Sequence, residues 1–504
     1  MKLKNKLTCE FLVCGLTVFL LGCENLITET SPSNITMENY YTQPEHASSA
    51  VNAIYEDLRT VHNGGGFGGA AWLMLEFPTG LTNTIALGSS GPINSSIRNL
   101  DINSDNPYLG TYWNSHYRGI ANANVAIEKI PEIQMNTDSQ NKLLGEARFL
   151  RAYYYYNLVR IFGDVPLILE PLDITSEQLA PERATIADVY NVIIEDLQWA
   201  ENSGLPFTDQ SGRVSLGATK TLMASVYLSM AGYPLQAGSE YFNLAKDKAL
   251  EVIESGEFYL FDSYADFRNE ETENMGEHIL MVQYDKDIID RNGFQQLFTP
   301  NNMGISLYAS ETGMIFPIEE FIESYESEDK RTEEKQFYYR EFTLETNRNT
   351  VIDLGGWHIY KWFDPIAHTE TAFSGLNWPL FRYAELLLIY AEAENEISGP
   401  TQTAYEAVNQ IRRRAELPEL SGLTQEEFRD ATWEEKWHEL SYENKTWFDM
   451  VRLLKAYNLT TGEFEDFVGH TFVYGPNLTQ RELLFPIPTA EIGNNENLVQ
   501  NPGY

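Results

Sequence analysis

The sequence is poor in cysteine and in basic residues. Its 3 cysteines all lie within the first 23 of 504 residues, at Cys9, Cys14 and Cys23. The rest of the chain has no thiol for a disulfide, a zinc cluster or a cysteine nucleophile. Only 35 Lys and Arg stand against 73 Asp and Glu, giving a formal net charge of −38. This charge disfavours binding to nucleic acid or to anionic lipid headgroups.

Long hydrophobic runs are also absent after the first 23 residues. Residues 1–22 begin with a lysine-rich segment and continue into an apolar run, Phe11–Leu21, which is too short to span a bilayer and is typical of a signal peptide. The segment Leu20–Cys23 has the form of a lipobox, which predicts cleavage before Cys23, lipidation of its thiol and a lipidated tether, residues 23–36. Each buried methylene of such an anchor adds about 0.8 kcal/mol of membrane affinity. The alternative is a soluble periplasmic protein in which Gly-Cys occurs by chance.

Aromatic residues, in contrast, are abundant. The chain has 29 Tyr, 26 Phe and 9 Trp, which is more than a minimal core requires and could furnish a binding surface. A strand is predicted around His278–Tyr284. Apolar residues at helical spacing predict helices over Pro44–Val61, Trp113–Ile130, Ser139–Phe162, Thr185–Ala200, Leu216–Met230, Tyr241–Ser255, Leu380–Ile397, Thr401–Ala415, Gln425–Leu440 and Trp447–Tyr457.

Two segments, residues 63–112 and 261–379, interrupt the helical pattern with many turn-forming residues. A loop of such length is usually functional or carries a small structure of its own. The paired helices around them predict a mainly α fold, a TPR-like scaffold of helical hairpins with irregular loop-rich insertions and a few short strands. We expect residues 37–504 to form this single helical domain.

Motifs for catalysis or for cofactor binding are weak or missing. Gly64–Gly69 matches G-x-G-x-x-G, but it follows a helix instead of a strand, so a mobile loop is the better interpretation. Asp101, Asn103 and Asp105 imitate the start of a calcium loop, but Asn106 replaces the turn glycine. No H-E-x-x-H, G-x-S-x-G or P-loop lysine is present. The sequence therefore predicts no enzyme, no cofactor and no metal site, although a glycosidase carboxylate pair cannot be recognised by spacing alone.

A tyrosine-rich segment, Glu146–Leu167, closely resembles the signature segment of the SusD/RagB family of outer-membrane lipoproteins of Bacteroidetes. The resemblance extends in order to the end of the chain, through Glu277–Tyr284, Arg382–Ala393, Asn409–Ala415, Glu439–Glu443, Trp447–Arg452, Phe485–Pro488 and Asn501–Tyr504.

The resemblance implies a cell-surface lipoprotein of the outer membrane that binds oligosaccharide or polysaccharide. It also implies a partner, a SusC-like TonB-dependent transporter to which the glycan is delivered. Capture of peptide or of another nutrient by the same scaffold is one alternative. A surface glycoside hydrolase is another.

In this family the ligand contacts come from the loops after the first helix and from the irregular middle region. The apolar C–H faces of sugars stack on aromatic rings, and their hydroxyls need amide, carboxylate or guanidinium partners. We predict Trp72 and Trp357 as stacking platforms, with Asn83 and Tyr308 fixing hydroxyls. Taken alone, each of these residue types is more often part of the core or of a turn than a ligand contact. The same loops also offer Asn94, Tyr108, Trp362 and Trp378, whereas Trp113 is expected to be structural.

The signature segments themselves are expected to be scaffold. In Glu146–Leu167 the apolar positions surround the helix almost completely, which predicts a buried helix. Its arginines should be satisfied by buried carboxylates. Near Glu443 the family commonly has arginine before the tryptophan, and Thr446 takes that place here, a change that concerns a local ion pair.

Overall fold

The computed structural model describes residues 40–63, 70–85, 91–172, 179–287, 292–344 and 349–504. The chain divides into two units, residues 1–42 and Gln43–Tyr504, and the description below concerns the second. The predicted signal peptide, the lipobox and the whole tether precede the described residues, and the Gly64–Gly69 motif also lies outside them.

The described chain is mainly helical, as the sequence predicted. In the ranges given above, no helix is long and apolar enough to cross a membrane. The helices are α1 (Pro44–Asn63), α2 (Ala70–Glu76), α3 (Gly91–Arg98), α4 (Pro107–Lys129), α5 (Thr137–Phe162), α6 (Ile186–Glu201), α7 (Leu216–Ala231), α8 (Ser239–Ser255), α9 (Gln295–Phe298), α10 (Glu319–Glu323), α11 (Tyr383–Ser398), α12 (Gln402–Arg414), α13 (Gln425–Glu439), α14 (Thr446–Leu453) and α15 (Thr489–Asn494).

Local sequence signals set the helix ends. The Asn136 side chain accepts a hydrogen bond from the Ser139 backbone at the start of α5, and Gly163, at φ 72°, ends that helix. Thr424 and Glu427 form a reciprocal capping box at the start of α13. Such caps satisfy backbone groups that the helix itself leaves unpaired.

Three helix predictions were wrong at their ends. Helix α4 begins at Pro107, six residues before the predicted Trp113, and Asn106 caps it. The helix predicted over Trp447–Tyr457 ends at Leu453. Leu454 is in the left-handed region at φ 53°, and Lys455–Asn458 forms a strand. Residues before Tyr383 belong to the strand Trp378–Arg382, whose side chains are all buried. The expectation of a non-helical first insertion was also wrong in part, since α2 and α3 lie within it.

The helices pack mostly against their neighbours in sequence. Helix α4 packs on α5, α5 on α6, α7 on α8, and α11 on both α12 and α13. Helix α1 returns to pack on α4, and α8 contacts α11. This stacking of antiparallel pairs is the helical-hairpin scaffold that the sequence predicted.

The described strands form short antiparallel pairs, three of which involve the insertions. They are β1 (Thr82–Asn83) with β5 (Phe316–Pro317), β2 (Val165–Pro166) with β3 (Arg183–Ala184), β4 (His278–Val282) with β8 (Trp378–Arg382), β6 (Tyr338–Thr343) with β7 (Val351–Ile359), and β9 (Lys455–Asn458) with β10 (Glu463–Asp466). The β4–β8 pair joins the two ends of the second insertion, and β1–β5 joins the first insertion to the second.

Buried ion pairs connect the signature segments. Arg382 is completely buried and donates to Glu277 and, through Nε at 2.9 Å and Nη2 at 2.6 Å, to both carboxylate oxygens of Glu443. Arg414 donates to Glu277 at 2.5 Å and to Glu439 at 2.8 Å. Because a buried charge without a partner is costly, these residues depend on one another. The segments are therefore scaffold.

The arginines of α5 follow the same principle. Arg151 donates to Asp196 through Nε at 2.7 Å and Nη2 at 2.8 Å, and Arg148 donates to the same carboxylate at 2.7 Å. The expectation of buried carboxylate partners is confirmed for these two residues. It is wrong for Arg160, which donates to the Asn157 amide and lies over the rings of Tyr156 and Phe448. Thr446, which stands where the family commonly has arginine, is buried. Glu443 forms its ion pairs with Lys361 and Arg382.

Candidate functional site

An open groove of about 620 Å³ brings together three parts of the chain. The β1 region and α3 form one wall, the irregular middle segment forms a second, and a loop near the C-terminus forms a third. Two of the predicted site residues, Asn83 and Trp357, lie in this groove. Its lining is Asn83, Ile85, Arg98, Pro300, Asn301, Met303, Phe316, Pro317, Ile318, Glu319, Glu320, Leu354, Gly355, Gly356, Trp357, His358, Val473 and Tyr474.

Trp72 does not lie in the groove. Its side chain is 0% exposed and packs against the rings of Phe294, Phe298 and Trp378 at centroid distances of 5.8, 5.4 and 5.9 Å. The expectation of an exposed platform at position 72 is therefore wrong, because other aromatic rings surround the indole and leave no face for a sugar. The residue is a centre of the core between α2, α9 and β8.

The other aromatic and amide candidates of the two insertions are buried as well. Asn94 Oδ1 accepts a hydrogen bond of 2.8 Å from the Tyr108 hydroxyl, and both side chains are buried. Trp362 and Trp378 pack on each other at 5.0 Å in the core. Trp113 is buried, as expected for a structural residue. These side chains stabilise the insertions and do not line the groove.

The β1–β5 pair positions Asn83. Asn83 lies opposite Phe316 in the pair, so both residues are brought to the groove by the same two-stranded contact. Next to them, Arg98 donates from Nε to the Thr82 carbonyl at 2.8 Å, which ties the end of α3 to β1. The first insertion thus contributes an amide and a guanidinium to one wall.

A large bulge in β7 forms the opposite wall. Tyr339 pairs with His358 and Glu341 with Asp353, so the single residue Arg340 faces four residues of β7, Leu354–Trp357. All four line the groove. Bulges of this kind redirect side chains and are common next to binding sites.

Trp357 is the aromatic residue that the bulge presents. Its side chain is half-buried. The Arg340 guanidinium carbon lies 4.3 Å from the ring centroid, and the buried Tyr338 ring is edge-on to the indole at 6.4 Å. Leu354, at the start of the bulge, is buried in a small hydrophobic cluster with Tyr339 and Phe363, so the bulge is anchored at one end.

The third wall is a stack of side chains near the C-terminus. The Arg98 guanidinium carbon lies 3.5 Å from the centroid of Tyr474, and Tyr474 stacks on Phe472 at 5.5 Å. Gly80 makes room for Phe472: it is in the left-handed region at φ 84°, and a Cβ at this position would overlap the phenylalanine ring. The stack fixes Tyr474 and Arg98 as rigid parts of the lining.

Tyr308 lies outside the groove, on the loop Asn301–Glu311, and is 58% exposed. The Glu311 carboxylate accepts hydrogen bonds of 2.7 Å from the backbone of Gly304 and of Ser306. Met303 of the same loop does line the groove. The structure therefore brings Asn83 and Trp357 together and leaves Tyr308 on a neighbouring loop.

The charges of the groove are few. Burial lowers the pKa of His358 to about 4, so this side chain is neutral at pH 7. Burial also lowers the pKa of Arg98. Glu319 and Glu320 are exposed at the rim. Within the described ranges no cluster of three or more His, Cys, Asp or Glu could hold a metal ion. The lining thus offers an indole, primary amides, a guanidinium and carboxylates, groups that suit a ligand with apolar faces and many hydroxyls.

Comparison with known proteins agrees with the fold. A family model described as the SusD family matches residues 264–504, and another, described as starch-binding and associating with the outer membrane, matches residues 70–228. A SusD superfamily protein from Parabacteroides distasonis has a similar structure, with a TM-score of 0.87 and 38% identity over 94% of this chain and 100% of that one. The chain belongs to the SusD family.

Two further relatives extend the comparison. SusD-like protein P2 of Formosa agariphila is 29% identical, with 99% of this chain and 100% of that protein covered. Surface glycan-binding protein A of Bacteroides thetaiotaomicron, solved in complex with laminarihexaose, is 20% identical with a TM-score of 0.75, covering 91% of this chain and 100% of that one. At that identity the second likeness concerns the SusD fold alone.

Sequence reasoning missed part of the groove of this SusD-family protein. Arg98, Asn301 and Tyr474 line it but were not among the predicted site residues. The run Phe472-Val-Tyr474-Gly475 carried a usable signal, since alternating aromatic residues before a turn glycine predict an exposed hairpin. Arg98 and Asn301 carried none, because nothing in their local sequence separates them from other surface polar residues.

Proposed function

We propose that this SusD-family protein is a non-catalytic, cell-surface glycan-binding lipoprotein. In this proposal it captures an oligosaccharide or polysaccharide in the groove and delivers it to a SusC-like TonB-dependent transporter. In the same proposal the signal peptide, residues 1–22, is cleaved, and lipidated Cys23 anchors the protein to the outer membrane through the tether, residues 23–36.

One observation supports glycan binding most directly. The half-buried Trp357 indole lines an open groove that is also lined by two amides, that of Asn83 from the β1 wall and that of Asn301 from the middle segment. A sugar ring stacks its apolar C–H face on such an indole while its hydroxyls bond to amides at the sides. The starch-binding description of the matching family model and the laminarihexaose complex of the related structure support the same ligand class.

A glycan panel tests the proposal. The purified protein is run in native gels that contain starch, laminarin, neutral plant polysaccharides or polyuronates, and each mixture is assayed for released reducing sugar. We expect retardation by at least one polysaccharide with no sugar release. Retardation should be lost in Trp357→Ala and weakened in Asn83→Ala, but kept in Tyr259→Ala, which removes an exposed ring outside the groove.

Three results would contradict the proposal. Release of reducing sugar would indicate a glycoside hydrolase. Binding to a peptide library with no binding to any glycan would indicate another cargo. Equal retardation of wild type and Trp357→Ala would place the glycan elsewhere on the protein.

The transporter partner requires its own experiment. The protein is purified from native outer membranes in mild detergent, and co-purifying proteins are identified by mass spectrometry. We expect a TonB-dependent barrel in stoichiometric amount. Recovery of the protein alone, under conditions in which related pairs stay together, would argue against delivery to such a transporter.

A further inference from the structure

Arg340 occupies an unusual position beside the groove. It is the one β6 residue that faces the four-residue bulge Leu354–Trp357. It does not line the groove, but its guanidinium carbon lies 4.3 Å from the centroid of Trp357. Building on the proposed function, we propose that Arg340 is a positioning residue for glycan binding, holding the Trp357 indole so that one ring face is presented to the groove.

The bulge alone does not fix the indole. Trp357 follows two glycines, Gly355 at φ 75° and Gly356, and a Cβ built on either glycine would meet no atom within 4 Å. Glycine has the largest conformational freedom of all residues. Leu354 anchors the bulge at one end, and the Gly355 N–H donates to Asp353 Oδ1 at 2.9 Å, but open space surrounds the side-chain positions of the two glycines before Trp357. The orientation of the indole therefore depends on contacts made by its own ring.

Arg340 can supply such a contact because its backbone is held in place. Its N–H donates to both carboxylate oxygens of Glu334 at 3.2 Å, and the N–H of Glu341 donates to the same carboxylate at 3.2 Å. The preceding pair, Tyr339 with His358, keeps the two strands in register. The guanidinium thus extends from a hydrogen-bonded backbone over the ring that follows the two glycines.

The contact also selects a ring face. A guanidinium within about 6 Å of an indole centroid is attracted to the face of the ring. The edge-on contact with Tyr338 limits rotation of the indole. With one face covered by Arg340, a stacked sugar has the other face available. The expected cost of removing an exposed contact of this kind is on the order of a two- to fivefold loss of affinity.

A measurement without ligand tests the positioning directly. The protein, whose 9 tryptophans are labelled biosynthetically with 5-fluorotryptophan, is studied by fluorine NMR, and the Trp357 signal is assigned by its absence in Trp357→Phe. In Arg340→Gln we expect this signal to shift or broaden while the others stay in place. In Arg340→Lys, which keeps a cation, the change should be smaller. A Trp357 signal identical in wild type and Arg340→Gln would overturn the proposal.

A double-mutant cycle tests the effect on binding, with laminarihexaose and maltoheptaose as probes and isothermal calorimetry as the measurement. Arg340→Gln should weaken binding two- to fivefold in wild type and have no effect in Trp357→Leu, which leaves no ring for the guanidinium to hold. Arg413→Ala, which removes an exposed arginine outside the groove, is the matched control. An equal loss in both backgrounds would show that Arg340 acts on the ligand and not through the indole. If wild type binds neither probe, the proposed ligand class fails for these sugars and the fluorine signal alone decides the role of Arg340.

Discussion

Trp72 and Trp357 were predicted to have the same role, and the structure places them in opposite environments. Trp72 is 0% exposed and contacts three aromatic rings at centroid distances of 5.4 to 5.9 Å. Replacing a buried tryptophan by alanine removes the transfer free energy of the ring and leaves a cavity, at a cost of about 3–5 kcal/mol. Domains are stable by about 5–15 kcal/mol, so Trp72→Ala should lose roughly a fifth or more of the total free energy of unfolding.

Trp357→Ala should have a different effect. Its side chain is half-buried and lines the groove, so its removal leaves an opening to solvent and not a closed cavity. The free energy of unfolding should fall by about 1 kcal/mol or less. A sugar stacked on an indole gains about 0.5–1.5 kcal/mol beyond area burial, and 1.4 kcal/mol corresponds to a factor of ten in affinity. Glycan affinity should therefore fall roughly tenfold.

Urea unfolding followed by circular dichroism and calorimetric titration with the bound glycan measure the two effects separately. Trp72→Phe, which keeps a smaller ring in the core, provides a folded comparison if Trp72→Ala does not fold. We expect Trp72→Phe to lower the urea midpoint and to leave glycan affinity unchanged. The reasoning is refuted if Trp72→Phe weakens binding tenfold at an unchanged midpoint, or if Trp357→Ala unfolds the protein.

Three further predictions concern the anchor, the groove wall and the ionic core. Cys23→Ala should block lipidation and release the protein from the membrane fraction, and normal membrane retention would contradict the lipobox interpretation. Gly80→Ala should lower the free energy of unfolding by about 1–3 kcal/mol, because it strains a left-handed backbone and displaces Phe472. An unchanged urea midpoint would exclude this clash. Burial opposes ionisation of Glu439, but the positive charges of Arg414 and its neighbours lower the pKa of this carboxyl from 4.5 to about 2. Its ion pairs therefore stabilise the fold fully above pH 4.5, and this stabilisation is lost as the pH falls toward 2. Between pH 4.5 and pH 2, the free energy of unfolding should fall less in Glu439→Gln than in wild type. Identical slopes of unfolding free energy against pH would refute the role given to Glu439.

The helical scaffold was predictable because its information is local. The apolar period of α5 and the capping residues Asn136 and Thr424 are visible in the sequence, and hydrogen bonds within one helix do not depend on distant partners. The ends were less certain. Leu454 stops α14 through its backbone conformation, and a leucine gives no sequence signal for that conformation.

Exposure of aromatic residues was not predictable. The sequence places Trp72, Trp357, Trp362 and Trp378 in the two insertions, but it does not show which of them the rest of the chain covers. Trp72 is covered by residues more than two hundred positions away, Phe294 and Phe298. Burial of a large ring depends on packing between distant segments, which periodicity does not report.

The sequence by itself determined the mainly α scaffold and the membership of a family whose signature segments run to Tyr504. It also indicated that carboxylates would be the partners of Arg148 and Arg151. Tertiary structure alone decided the groove. Its walls come from β1, from the β7 bulge opposite Arg340 and from the loop that carries Tyr474. These segments are separated by more than one hundred residues, and a binding surface made of them exists only when the fold brings their backbones together.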